Sequence, residues 1–143
     1  MTLKAKIKQK EKDVADWLNS RFKLNVKLAE DEFSTFDLEG ENHIIEIKHR
    51  FGKVYATKLI ESMKLSVNYQ KSQLLDKKFI YIVMDENGLT AFNITEKINE
   101  IIKLPEYNKL MEHNHYYNDK KIYKLHRNLP KRLASLLEVK IQL

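Results

Sequence analysis

The chain has 143 residues, of which 43% are hydrophobic and 32% are charged, and it contains no cysteine. This length and balance predict a single globular domain over residues 1–143, and the missing cysteines exclude disulfides and thiolate zinc sites. The formal net charge of +6 favours an anionic partner, with nucleic acid as the first candidate.

Hydrophobic periodicity predicts helices alternating with strands. The predicted helices cover residues 4–22, 55–75 and 95–103, and a closing helix begins near Pro130. The predicted strands cover residues 24–28, 33–38, 43–48, 79–84, 89–94 and 122–126. This order indicates an α/β fold whose mixed central sheet is flanked by helices. Neither a signal peptide nor a long apolar run is present, so we expect a cytoplasmic protein without a membrane partner.

The most informative motif is Asp37 followed nine positions later by Glu46-Ile47-Lys48. The residues around it alternate in character on both sides of a polar turn, which predicts a β-hairpin. If the turn consists of residues 40–41, Asp37 lies opposite Ile44 and is a diagonal neighbour of Glu46 on the same face as Lys48. A divalent cation would bridge these two carboxylates, which would otherwise repel each other.

Asp37 and Glu46-x-Lys48 on a hairpin resemble the PD-(D/E)xK phosphodiesterase superfamily, which includes restriction-endonuclease-like and Holliday-junction-resolvase-like nucleases. The sequence departs from that pattern at Phe36, which stands where the name-giving proline would be. The resemblance implies a restriction-endonuclease-like fold and an endo- or exodeoxyribonuclease that depends on Mg²⁺ or Mn²⁺.

The resemblance also assigns roles to individual residues. Asp37, Glu46 and the backbone carbonyl of Ile47 would hold the metal, and Lys48 would orient the attacking water. We expect the neighbouring carboxylates to raise the pKa of Lys48, which argues against a free general base. Glu11 on the first helix is an auxiliary metal ligand by resemblance to resolvase-like members, and a surface salt bridge with a nearby lysine is the alternative.

A basic cluster near the end of the chain is the predicted nucleic-acid footprint outside the active site. It consists of Lys120, Lys121, Lys124, Arg127, Lys131 and Arg132. On the helix predicted after the motif, Lys58, Lys64, Tyr69 and Gln70 are candidate phosphate contacts, with a solvated face as the alternative. His49 and Arg50 are further, weaker candidates for contacts to the nucleic-acid backbone. DNA is favoured over RNA through the resemblance alone, and a homodimer would suit an enzyme that cuts two strands.

Two other functions fit the same sequence. The chain could be a nucleic-acid-binding module that keeps the fold without cutting, or a protein-interaction protein with no affinity for nucleic acid. At the level of the motif, the alternative is a surface hairpin whose charged side chains face water. Apolar residues at Ile44, Ile45 and Ile47 favour a strand that is covered on both faces, where a charge requires a specific reason.

Overall fold

The computed structural model describes residues 2–31, 33–50, 52, 56–111 and 122–141. Within these residues the chain forms a six-stranded mixed sheet, a three-stranded antiparallel sheet and three helices. The helices are α1 (Leu3–Phe22), α2 (Ser62–Leu75) and α3 (Ile94–Ile101). The strands are β1 (Lys27–Leu28), β2 (Leu38–Glu39), β3 (His43–His49), β4 (Lys58–Glu61), β5 (Lys78–Asp85), β6 (Gly88–Asn93), β7 (Glu106–Met111), β8 (Ile122–Leu129) and β9 (Leu136–Val139).

The larger sheet has the strand order β1-β2-β3-β5-β6-β9. Strands β3 and β5 are parallel, and the chain crosses between them through β4 and α2; the other pairs are antiparallel. The mixed central sheet flanked by helices is therefore confirmed.

The two faces of β3 belong to two different hydrophobic cores. Ile45 and Ile47 pack with Val14 and Leu18 of α1, whereas Ile44 packs on the opposite face with residues of α2, β4 and β5. Because side chains alternate along a strand, Glu46 and Lys48 share the face of Ile44. The covered strand predicted from the isoleucines is confirmed, and the two charged residues lie on its α2 side.

The hairpin of β2 and β3 has a different register from the predicted one. Leu38 is paired with Ile45, and this register places the two-residue turn at residues 41–42 and not at residues 40–41. The position of glycine misled the sequence interpretation. A Cβ atom at Gly40 would lie 2.9 Å from the carbonyl oxygen of Asn25 and from a side-chain carbon of Val26, so close packing requires this glycine and the turn does not.

Two predicted helices are wrong in part or in full. The helix predicted over residues 55–75 begins at Ser62, because Leu59 and Ile60 are both buried in β4, which pairs with β8. The closing helix is absent from the described residues, which contain a 3-10 turn (Lys131–Leu133) and then β9 at the edge of the larger sheet. In both places the decisive partner strand is distant in sequence. No helix in the described part of the chain is long and apolar enough to cross a membrane.

Candidate active site

Asp37 lies immediately before β2 and is held by hydrogen bonds to β3. Its backbone N–H donates to the carbonyl of Ile45 at 2.8 Å, and its carboxylate Oδ2 accepts from the backbone N–H of Ile47 at 2.7 Å. The observed register pairs Ile44 with Glu39 and not with Asp37, so the expected pairing of Asp37 with Ile44 is wrong. Asp37 lies beside Glu46 nevertheless, because its charge contributes to the pKa of that glutamate.

Glu46 is buried in the middle of β3, with 5% of its surface exposed. Lys64 of α2 donates to Glu46 Oε1 at 3.0 Å. Burial, reinforced by the neighbouring Asp37 carboxylate, raises the pKa of Glu46 to about 7, although Lys64 acts in the opposite direction. The contact with a single lysine therefore compensates the buried charge of Glu46 only in part.

Glu11 reaches the same site from α1 and is also buried, with 3% of its surface exposed. Burial raises the pKa of Glu11 to about 8, and the charge of Asp37 and a side-chain hydrogen bond to it add to the rise. Lys8 approaches Glu11 Oε1 at 3.7 Å, so the salt bridge considered as the alternative is present as well. The proximity of Glu11 to Asp37 makes this glutamate part of the carboxylate cluster.

Glu11 and Glu46, which both lie near the Asp37 carboxylate, hold a proton more tightly than ordinary carboxylates do. A proton bound near neutral pH offsets the repulsion between such carboxylates, and a cation would offset it equally well. The described residues nevertheless contain no set of three His, Cys, Asp or Glu side chains arranged to hold a metal ion. In this conformation Asp37 is engaged by Ile47 and Glu46 by Lys64.

Lys48 shares its face of β3 with Glu46, and burial lowers the pKa of Lys48, with the charges of Arg50 and Lys64 adding to the effect. This direction is opposite to the expected one. The neighbouring carboxylates do raise the pKa of Lys48, as expected, but burial and the two neighbouring cations lower it by more. Lys48 is therefore a better proton acceptor than an exposed lysine.

A narrow cleft beside Lys48 lies between the central sheet, α2 and the smaller sheet. It leaves about 10 Å³ of space, about the room for one water molecule. Its lining residues are Glu46, Lys48, Arg50, Ile60, Glu61, Lys64, Tyr81 and His126. Of these, Glu61, Tyr81 and His126 had no role in the sequence interpretation. Arg50 was detectable from sequence because it continues the alternation of Glu46 and Lys48, whereas His126 reaches the cleft only through the pairing of β8 with β4.

The described residues of the predicted basic footprint all pair with glutamates from different elements. Lys124 lies 3.3 Å from Glu61 of β4, Arg127 3.1 Å from Glu106 of β7, Lys131 2.5 Å from Glu138 of β9 and Arg132 3.4 Å from Glu100 of α3. Lys120 and Lys121 lie outside the described residues. The nucleic-acid footprint stays a prediction. Within it, Lys124 contacts Glu61, which lines the cleft.

Lys58 was considered a phosphate contact on a helix, and this interpretation is wrong. It lies in β4 with 2% of its surface exposed, and its Nζ donates to Asp85 Oδ2 at 2.6 Å. A lysine that is enclosed in this way has its charge compensated by Asp85 inside the fold and cannot reach a ligand at the surface.

Comparisons of the chain with protein-family models, with curated proteins and with solved structures give no match.

Proposed function

We propose that the protein is a metal-dependent nuclease that hydrolyses phosphodiester bonds in DNA. The observation that carries the proposal is the cluster of Glu11, Asp37 and Glu46 beside Lys48. Three buried or anchored carboxylates with raised pKa values at two of them favour a site that binds a cation.

The donor set fits Mg²⁺ or Mn²⁺, because both ions prefer carboxylate and carbonyl oxygens. Asp37 and Glu46 would hold the ion together with the carbonyl oxygen of Ile47, and Glu11 would complete the carboxylate set. When bound, such an ion polarises the phosphate and lowers the pKa of a coordinated water.

The protein's own side chains contribute orientation and proton transfer. The backbone N–H of Ile47 fixes Asp37 in one orientation. Lys48 lies on the same strand face as Glu46, next to space for about one water, so it can orient the attacking water and accept its proton. Its lowered pKa supports the second of these roles.

The experiment is a cleavage assay on linear duplex, circular duplex, single-stranded and branched DNA and on RNA, each with Mg²⁺, Mn²⁺ or a chelator. We expect cleavage of at least one DNA substrate in either metal and none in the chelator. Asp37→Asn and Glu46→Gln should each abolish it, since both replacements are isosteric and remove a ligand charge. Glu41→Gln, in the exposed turn of the same hairpin, is the matched control. Cleavage by Glu46→Gln at the wild-type rate in Mg²⁺ would remove that carboxylate from the mechanism.

A second candidate is a nucleic-acid-binding module that does not cut. It is favoured by the absence, among the described residues, of three side chains already arranged around a metal position. The same assay separates the two functions, because the module would bind DNA with no metal-dependent product. A protein-interaction protein, the third candidate, would bind neither DNA nor RNA.

A further inference from the structure

Arg50 follows Lys48 at the end of β3 and lines the same cleft. Its backbone N–H donates to the carbonyl of Met84 at 2.8 Å, which fixes the start of the side chain against β5. The guanidinium lies near enough to the hydroxyl of Tyr81 to act against the rise that burial causes in the pKa of this tyrosine, and Tyr81 donates to the carbonyl of Leu59 at 2.7 Å. The backbone of Arg50 is therefore fixed against β5, and its guanidinium lies near Tyr81 of the same strand.

The Nε–H group of Arg50 is covered and has no hydrogen-bond partner among the described residues. A buried donor without a partner costs free energy, and arginine in a folded protein stays charged. No carboxylate in the described part of the chain forms an ion pair with Arg50 within 4.0 Å. A guanidinium that lines a cleft and has an unused donor is suited to bind an oxyanion, for which its planar fork has the matching geometry.

The charges that line the cleft also favour an anion. Lys48, Arg50 and Lys64 contribute three cationic groups, whereas Glu46 and Glu61 contribute two acidic ones. Glu46 interacts with Lys64, and Glu61 with Lys124 from outside the cleft lining. Arg50 and Lys48 line the same cleft as like charges, and although Glu61 and Glu46 also act on Lys48, an anion between the two cations would relieve their repulsion.

We propose that Arg50 binds the scissile phosphate of the substrate through its guanidinium and positions it beside Lys48. This inference rests on the proposed nuclease function, and it adds a residue that the carboxylate and lysine motif does not contain. Because the cleft has room for about one water, a phosphate group enters only when the partly exposed Lys64 side chain moves away from Glu46. The backbone of Arg50 is fixed against β5 at the edge of the cleft, so its guanidinium stays available to the phosphate.

The first test measures anion binding without any cleavage. Inorganic phosphate is titrated into the protein while the arginine Nε–H signals are followed by NMR, and the Arg50 signal is assigned by its loss in Arg50→Lys. The chain has four arginines, and Arg21→Lys on α1 is the matched control. We expect the Arg50 signal to shift in a saturable way. Arg50→Lys, followed through the backbone signals of β3, should bind phosphate about tenfold more weakly or worse, because lysine lacks the fork. An Arg50 signal that does not respond to phosphate would overturn the inference.

The second test separates binding from a structural role. Arg50→Met should lower kcat/KM by about 10- to 100-fold, the range expected when a charged hydrogen bond is lost, and Arg50→Lys should recover part of the loss. Tyr81→Phe removes the hydroxyl near the Arg50 guanidinium and should cost less than Arg50→Met. Equal losses in Tyr81→Phe and Arg50→Met, with equal falls in melting temperature, would show that Arg50 only supports the strand and would overturn the inference.

The two proposals fail in different ways. If the wild-type protein cleaves no substrate in any metal, the nuclease function fails, and the phosphate titration still decides whether Arg50 binds oxyanions. If the wild type cleaves and Arg50→Met cleaves equally well with unchanged phosphate binding, the role of Arg50 alone is refuted.

Discussion

Glu11 is the residue whose environment differs most from that of an ordinary surface glutamate. Its pKa is raised from 4.5 to about 8, by burial first and by Asp37 second. The folded protein therefore binds this proton more tightly than the unfolded chain does. The stability that the bound proton provides is present at low pH and is lost as the pH rises from about 5 through about 8.

Replacing Glu11 by glutamine should remove its share of this pH dependence. The glutamine amide is isosteric with the protonated acid and can donate to Asp37 in the same way, but it carries no charge at high pH. In the metal-free protein, Glu11→Gln should therefore raise the free energy of unfolding at pH 8 and change it little at pH 5. The slope of the free energy of unfolding against pH should change by at most about 1.4 kcal/mol per pH unit, the value for one proton.

Urea unfolding at several pH values with a chelator present measures this slope. Glu41→Gln is the control, since Glu41 is exposed and should leave the slope unchanged. Equal slopes for Glu11→Gln and the wild type would mean that Glu11 ionises normally and is not part of the carboxylate cluster. Glu46, whose pKa is raised to about 7, should preserve a residual slope in the Glu11→Gln variant.

Substitutions of Lys48 and of the carboxylates should have different effects on metal binding and on the reaction rate. A metal ligand is needed for the ion to bind, whereas Lys48 is needed only for the reaction. Lys48→Ala should keep Mn²⁺ affinity and lose about 10²–10³ in single-turnover rate, the usual cost of losing one group from a preorganised site. The exposed Lys103→Ala is the control.

Calorimetric Mn²⁺ titration beside a single-turnover assay gives both quantities for the Lys48 variant. The assigned role is refuted by a wild-type rate. A collapse of metal affinity also refutes it, because Lys48 would then be needed to hold the hairpin. The rate should also fall at low pH as Lys48 becomes protonated, if it accepts the proton of the attacking water.

The alternation of side chains along β3 was sufficient to place Glu46 and Lys48 on one face of the strand. The predicted pairing of β2 with β3 was wrong by two residues, and an even shift in register does not change the face on which a side chain lies. The pKa direction of Lys48 was not predictable in this way. It depends on burial by α2 and on the charges of Arg50 and Lys64, and only the folded arrangement brings Lys64 to the site.

At the level of elements, the buried pair of Lys58 and Asp85 connects the smaller sheet to the central sheet. Lys58 begins β4 and Asp85 ends β5, and both side chains are almost fully enclosed. Lys58→Met should destabilise the protein by about 3–5 kcal/mol, because it leaves the carboxylate of Asp85 buried without its partner. Urea unfolding at pH 7 measures the loss.

A matched pair on the surface provides the control for Lys58. Lys77 pairs with Glu39 at 2.8 Å, but both side chains are partly exposed, so Lys77→Met should cost less than about 1 kcal/mol. The double variant Lys58→Met, Asp85→Asn should be more stable than Lys58→Met alone, since no unpaired charge remains. A Lys58→Met variant as stable as Lys77→Met would show that the buried pair does not hold β4 in place.

Elements with a strong local pattern were predictable, and elements defined by distant partners were not. The spacing of Val14 and Leu18 identified α1, and the apolar run of β5 identified a strand covered on both faces. By contrast, Leu136 matches the spacing of a helix but pairs with Ala91 at the edge of the larger sheet. The strand β7 gave no signal that sequence analysis recognised, and its pairing with β8 alone defines it.

At the scale of the whole molecule, the charge of +6 predicts an affinity for nucleic acid that falls steeply with salt. In the folded protein, glutamates partly neutralise the basic footprint that was predicted near the end of the chain. Its described cations each have a glutamate nearby, and Arg132 is the most exposed of them, with 65% of its side chain accessible. Lys131 is a poor choice for substitution, because its partner Glu138 also lies 3.9 Å from the buried Lys58.

Arg132→Gln and Lys6→Gln provide a matched test of where nucleic acid binds. Each variant removes one positive charge from an exposed position, so their general electrostatic effects are equal, but Lys6 lies near the start of α1. If the predicted footprint binds duplex DNA, Arg132→Gln should lower the slope of log affinity against log salt by about 0.9, the contribution of one phosphate contact. Lys6→Gln should leave the slope unchanged. Fluorescence anisotropy at several salt concentrations, in a chelator so that no cleavage occurs, gives both slopes. The reverse result would place the DNA along the lysines at the start of α1, on the side of the sheet from which Glu11 reaches the site.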